Sequence, residues 1–327
     1  MMLQIGDQFE HFQIITHMAQ GGMSDIYHAR DLLSGREVAL KIPNRTMIGD
    51  PAQYERFQRE LEVMKTLNHP SIQRGVASGQ FNRTPYLVTE LINGKSLRDI
   101  ISDKAPMPPD EAIKLIRKIA DGMAYCHANE VIHRDLKPEN ILVTDDGQPV
   151  ILDFGLALTK NAHRVTYANF SSTAGTPDYM APEQIEGQRG DGRTDQYAIG
   201  TMLYEMLAGK TPFGGDNNMA VMAQHLRGAI PRLDKERSDI SPRLAAVVAK
   251  SLQRNPDDRY PDLNAFIYAL DHPEAADLSI LETGTGAASV VPFWRTQAFR
   301  VIAITILVMV AIVIIGFAAQ SLKGVPH

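Results

Sequence analysis

Apolar and polar residues alternate over short runs at the start of the chain, in "HFQIITHM", "SDIYHAR" and "REVALKIP". A period of two predicts half-buried strands, joined by turns such as "LLSGR". The period then lengthens. In "PAQYERFQRELEVMKTLNH", Tyr54, Phe57, Leu61 and Met64 recur at helical spacing with charge on the other face. Two further strand-like runs follow, around "GVASGQ" and "TPYLVTELI". Residues 9–92 thus read as a small, strand-rich lobe with one helix.

Past "NGKSL" the pattern is helical. "DEAIKLIRKIADGMAYCHANE" is a long amphipathic stretch, and "TDQYAIGTMLYEMLAGK" and "SPRLAAVVAKSLQRNP" predict further helices. The expected fold class is α+β in two lobes, with the helical lobe spanning 93–270. Residues 271–298 are small, polar and weakly periodic, and read as a linker. Periodicity then disappears altogether. Val301 to Ala319 carries no charge, and Thr305 is its only polar side chain. At about 1.5 Å per residue such a run covers the roughly 30 Å hydrocarbon core of a bilayer. Hydrophobicity all round a helix favours lipid over a buried core helix, so 299–319 is expected to span a membrane. Arg295 and Arg300 precede the run beside Phe293 and Trp294, and only Lys323 follows it. That bias places the N-terminal part in the cytoplasm of a single-pass cell-membrane protein, with residues 320–327 as a short outer tail.

Composition adds limits. With 44% hydrophobic and 22% charged residues among 327, the chain can bury a sizeable core. A net charge of −5 gives no general attraction for nucleic acid, and none is expected as a partner. Cys126 is the only cysteine, which rules out an internal disulfide and leaves a small buried side chain as its expected role.

The chemistry-bearing residues are concentrated in "HRDLKPEN", His133 to Asn140, and "DFG", Asp153 to Gly155. Phosphoryl transfer from ATP needs a carboxylate at the attacking hydroxyl, a metal-holding pair at the phosphates and a cation for developing charge. Asp135 is placed for the first role, Asn140 with Asp153 for the second, and Lys137 for the third. By these motifs the chain resembles the eukaryotic-type Ser/Thr protein kinase family, in its bacterial membrane-anchored form, over roughly residues 9 to 270. The resemblance implies ATP and Mg²⁺ (or Mn²⁺) as cofactors and proteins as substrates. Lys41 of "VALK" would contact the α- and β-phosphates, paired with Glu60; Glu62 is the neighbouring alternative, but Glu60 has the spacing to Met64 and "HP" that the family shows. In "YLVTELING", Thr89 would be the gatekeeper and the backbone of Glu90 and Ile92 would bind adenine, with Ile26, Ala39 and Leu142 sandwiching the purine. "GTPDYMAPE" resembles the end of an activation segment, in which Glu183 would pair with Arg259, and Asp195 would prop the loop containing Asp135. Lys137 together with Thr176 matches members that act on Ser or Thr.

Two departures or extensions matter. Aligned on Lys41, the family's G-x-G-x-x-G-x-V falls on Ala19, Gly21, Ser24 and Ile26, with Gly22 and Met23 between. Only the middle glycine is kept, though small outer residues still let the backbone approach phosphates. Arg134 before Asp135 resembles members activated by loop phosphorylation, with Thr166, Ser171, Ser172 and Thr173 as candidate acceptors and a homodimer as the species for modification in trans. Two rival readings compete with an active kinase. A membrane-tethered pseudokinase would have lost Lys41, Asp135, Asn140 or Asp153, and all are present. A small-molecule kinase would lack "APE" and the Thr176 segment, and both are intact.

Overall fold

Strand β4 (Glu37–Pro43) shows how the sheet sorts its side chains. Val38, Leu40 and Ile42 are buried on one face, and Ala39 and Lys41 point to the other. The computed structural model describes residues 3–20, 24–44, 57, 60, 63–82, 84–154 and 177–283. Within these, β4 lies in a six-stranded antiparallel sheet of order β1-β2-β3-β4-β6-β5. Its partners are β1 (Gln8–Phe9), β2 (Phe12–Gln20), β3 (Ser24–Asp31), β5 (Gly75–Phe81) and β6 (Thr84–Glu90). Phe12, Ile14, Tyr27, Ala29, Tyr86 and Val88 join Val38, Leu40 and Ile42 in the sheet's own core. Register pairs Ile26 with Lys41, Lys41 with Leu87, and Ala39 with Thr89. Those five residues therefore share the opposite face.

That opposite face meets a second core. Residues 57, 60 and 63–66 are helical, and Phe57, Val63, Met64 and Leu67 pack with Leu87 and Ile72 into the hydrophobic cluster of the helical lobe. After β6 the chain crosses to a small sheet of β7 (Lys95–Ser96), β8 (Ile141–Val143) and β9 (Pro149–Ile151). Gly94 permits the crossing, since a Cβ there would sit 2.5 Å from the Val143 carbonyl oxygen.

Helices α1 (Leu97–Lys104) and α2 (Pro109–Ala128) follow, α2 burying Leu115, Ile116, Ile119, Ala120, Met123 and Cys126. Burial pushes the Cys126 thiol up, in keeping with its expected packing role. After α3 (Pro182–Ile185), α4 (Gly192–Ala208) is buried at every position from Thr194 to Leu207. It is the axis of the lobe, surrounded by α2, α5 (Asn218–Arg227), α6 (Leu233–Glu236), α7 (Pro242–Ser251) and α8 (Leu263–Asp271).

Packing continues beyond Leu270, into the stretch that reads as linker. The compact unit runs to Thr285, because a last helical turn, Ile280–Thr283, returns Leu281 to the core at 4% exposure. Arg243 Nη1 donates to the Glu274 carbonyl and holds the returning chain on α7. The weak periodicity of 271–283 hid this, because one apolar anchor is enough to dock so short a segment. Among the described residues no helix is long and apolar enough to cross a membrane; the expected span 299–319 lies outside them.

His225 on α5 gives the fold a measurable acid sensitivity. Its ring is buried against Tyr197 and Phe213, with Nδ1 bonded to Tyr197 Oη at 2.7 Å. Burial lowers its pKa from 6.5 to about 4. The unfolded chain takes up this proton below about pH 6.5 and the folded chain does not until about pH 4. The contribution is therefore complete above pH 6.5 and is lost as pH falls to 4, by up to about 3 kcal/mol. Urea denaturation at pH 7 and pH 4 should show His225→Gln losing less stability than the wild type over that interval by about this amount.

Candidate active site

The lysine of β4 is the first fixed point. Lys41 Nζ donates to both Glu60 carboxylate oxygens at 2.7 Å and approaches Asp153 Oδ1 at 3.5 Å. Burial opposes its charge, but Asp153 and Glu60 more than offset that and hold the ammonium well above its usual pKa. Glu60 makes this contact, and Glu62 lies outside the described residues. Asp153 itself has φ of 59°, in the left-handed region that non-glycine residues rarely adopt.

The second fixed point is the loop from His133 to Asn140, between α2 and β8. Asp135 Oδ2 accepts from Lys137 Nζ at 2.9 Å and from Asn140 Nδ2 at 3.3 Å; Asn140 Nδ2 also donates to the Asp135 carbonyl at 2.8 Å. The loop is held from beneath by Asp195, which is 1% exposed at the start of α4. Asp195 Oδ1 accepts from the Arg134 N–H at 2.8 Å; Oδ2 accepts from the His133 N–H at 2.9 Å and meets His127 Nε2 at 2.8 Å. Burial raises the Asp195 pKa, but the bond and charge of His127 and the backbone donor outweigh it, and the net shift is downward. Gly192 leaves the space for His127, since a Cβ there would lie 2.6 Å from Nδ1. Arg134 is pinned at φ 68°, a strained conformation that the Asp195 and Gln184 bonds to its backbone sustain. His133 is fully buried, with Nε2 bonded to the Leu152 carbonyl at 2.9 Å and its ring against Phe154.

A third feature lies deeper. Arg259 and Glu183 form a bidentate pair at 2.8 and 2.7 Å, both side chains almost completely buried. Thr194 Oγ1 donates to Glu183, and Arg259 also donates to the carbonyls of Arg193, Gln253 and Arg254. Every charge in the pair has a partner, as a buried ion pair requires.

This geometry coincides with a family match over most of the chain: the protein kinase domain, over residues 12–272. The chain belongs to the protein kinase domain family. Among curated relatives, the kinase domain is similar to serine/threonine-protein kinase PknB of Mycolicibacterium smegmatis, at 37% identity over 262 residues, 78% of this chain and 41% of that protein. It is also 37% identical to serine/threonine-protein kinase PknL of Mycobacterium tuberculosis, over 77% of this chain and 62% of the relative. The chain thus spans less than two thirds of either protein. Among solved structures, the Mycobacterium tuberculosis PknI kinase domain superposes with a TM-score of 0.65 at 26% identity, covering 84% of this chain and all of that one.

Within this kinase domain the remaining predicted positions lie on the sheets and the crossing between them or fall outside the described residues. Ile26, Ala39 and Thr89 share the Lys41 face of the sheet; Glu90 ends β6, Ile92 lies in the crossing, and Leu142 lies in β8. Ala19 is the second-last residue of β2, and buried Ser24 begins β3. Gly21, Gly22, Met23, Thr166, Ser171, Ser172, Thr173 and Thr176 are outside the described residues. Two groups carry no sequence motif. Gln73 Nε2 donates to the Glu90 carbonyl at 3.1 Å. Arg98 on α1 donates to Glu139 at 2.9 Å and Glu205 at 2.8 Å and also reaches Tyr179 Oη, tying the Asp135 loop to α4 through residues far apart in sequence.

The support from Asp195 predicts a large effect. Asp195→Ala leaves the His133 and Arg134 N–H groups and His127 without their buried acceptor. The expected loss is about 3–5 kcal/mol in urea unfolding.

Proposed function

We propose that the chain transfers the γ-phosphoryl group of Mg-ATP to serine or threonine hydroxyls of proteins. The observation that carries the reading is the pairing of two separately anchored groups: Lys41 bonded to Glu60 and next to Asp153, and Asp135 held by Lys137 and Asn140.

The residues fit a divalent cation. Asn140 commits its Nδ2 to Asp135, so its Oδ1 is the end available to a metal, and the Asp153 carboxylate is 43% exposed. Both are hard oxygen donors of the type Mg²⁺ takes. Bound there, the ion would neutralise charge on the phosphates. Lys41, kept cationic, would hold the nonreacting phosphates. Asp135, with Oδ2 engaged, would orient the acceptor hydroxyl and take its proton on Oδ1. Lys137 would balance charge at the transferred group. Ile26, Ala39 and Leu142 would pack on the purine, with Glu90 and Ile92 bonding its edge. The names of the PknB and PknL relatives support serine and threonine as acceptors.

Regulation in this reading is autophosphorylation in trans at Thr166, Ser171, Ser172 or Thr173, with Arg134 beside Asp135 as the phosphate's partner. The uncharged run 301–319 would anchor the kinase at the cytoplasmic face of the cell membrane, where confinement raises its concentration toward other copies.

Incubation with labelled ATP and Mg²⁺ and a generic acceptor protein tests the activity. Asp135→Asn should lower transfer by about 10²- to 10⁴-fold; equal label in both proteins refutes the proposal. Mapping phosphates after incubation tests regulation: modification should fall within 166–173, at an initial rate per molecule that rises with protein concentration. An unmodified loop alongside other filled sites sinks that part.

A further inference from the structure

Gln73 joins the two sides of the cleft. Its N–H donates to the Ile151 carbonyl at 3.0 Å, and Ile72 forms a parallel bridge with Ile151. Residues 72 and 73 are thereby fixed to β9, two residues before Asp153. The half-buried side chain reaches from there to the end of β6, where Nε2 donates to the Glu90 carbonyl. The rest of Glu90 is engaged with Arg74: its N–H donates to the Arg74 carbonyl at 3.0 Å, and Oε1 accepts from the Arg74 N–H at 2.9 Å. Only the donor end of an amide can face a carbonyl at such a distance, which sets the orientation of the Gln73 side chain.

We propose that Gln73 is a specificity residue for the purine base, which lowers the site's discrimination against 6-oxopurine relative to 6-aminopurine triphosphates. This rests on reading the Glu90 edge as the part of the site that meets the base. A bare carbonyl is an acceptor only. It takes the exocyclic amino group of adenine and faces a 6-oxo group with two acceptors opposed, a mismatch that leaves both unpaired and discriminates strongly. Gln73 changes that edge. One Nε2 hydrogen is on Glu90, and the second is available to an acceptor beside it. A 6-oxo group takes that hydrogen. A 6-amino group instead shares the Glu90 carbonyl with Nε2 through the second lone pair. The Ile92 N–H on the same edge still favours the unprotonated N1 of a 6-aminopurine over the N1–H of a 6-oxopurine, so the bond from Gln73 lowers the discrimination and does not abolish it.

The test is calorimetric binding of ATP and of ITP, each with Mg²⁺, to the full chain and to Gln73→Val and Gln73→Met. The wild type should bind both nucleotides, ATP the more tightly. Both apolar variants should keep or improve ATP binding and weaken ITP, raising the ITP-to-ATP ratio of Kd by about three- to tenfold, the worth of one neutral hydrogen bond. Loosened packing alone would weaken both nucleotides together and leave the ratio unchanged. An unchanged ratio in both variants overturns the proposal, as does a wild type that binds ATP but no ITP. Labelled transfer from ATP in the same preparations separates the two readings. Transfer with an unchanged ratio defeats the role of Gln73 alone. A changed ratio without transfer defeats the enzymatic reading alone, and no binding of either nucleotide defeats both.

Discussion

The carboxylate of Asp195 organises the loop from which the site is built. It is nearly inaccessible to water, and a bare charge there would be very costly to bury. The cost is offset only if donors converge on it, and three do: the His133 and Arg134 backbone and the His127 ring. Satisfying the carboxylate thus dictates the path of the chain just before Asp135, including the left-handed turn at Arg134. Because Asp195 sits on α4, which is buried along its whole inner length, the loop inherits the rigidity of the lobe's axis. Asp135, Lys137 and Asn140 are then placed within a few residues of a fixed anchor.

The small lobe obeys a different constraint. A strand sends alternate side chains to opposite faces, so β4 can bury Val38, Leu40 and Ile42 while presenting Ala39 and Lys41 to the cleft. Register carries this across the sheet to Ile26 on β3 and to Leu87 and Thr89 on β6. A one-residue slip would exchange the two sets and bury the lysine in the hydrophobic core. The packing of the sheet's own core is therefore what aims Lys41.

Much of this was legible in the sequence, because the relevant signals are local. Alternation gave the strands, and the spacing within "HRDLKPEN" brought Asp135, Lys137 and Asn140 together in one loop. Pairings across distance, Lys41 with Glu60 and Glu183 with Arg259, were reached only through family resemblance, since nothing in either segment names its partner. Gln73 escaped notice because a single polar residue after an apolar one has no periodicity, and its meaning comes from a carbonyl seventeen positions later. Arg98 escaped because its carboxylates lie 41 and 107 residues away. Leu281 is hidden in a stretch that reads as linker, because one buried side chain among polar residues leaves no pattern.

The two hydrophobic cores divide the Lys41–Glu60 pair between them. Lys41 rides on a strand whose neighbours pack in the sheet's core, whereas Phe57, Val63, Met64 and Leu67 around Glu60 pack with the large helical core. The ion pair is thus a clasp between two separately packed bodies. Prising the sheet from the helical core must open the clasp and wet both charges, whereas twisting within either body leaves it shut. Its strength will then be governed less by the two residues than by how far apart the cores are allowed to drift.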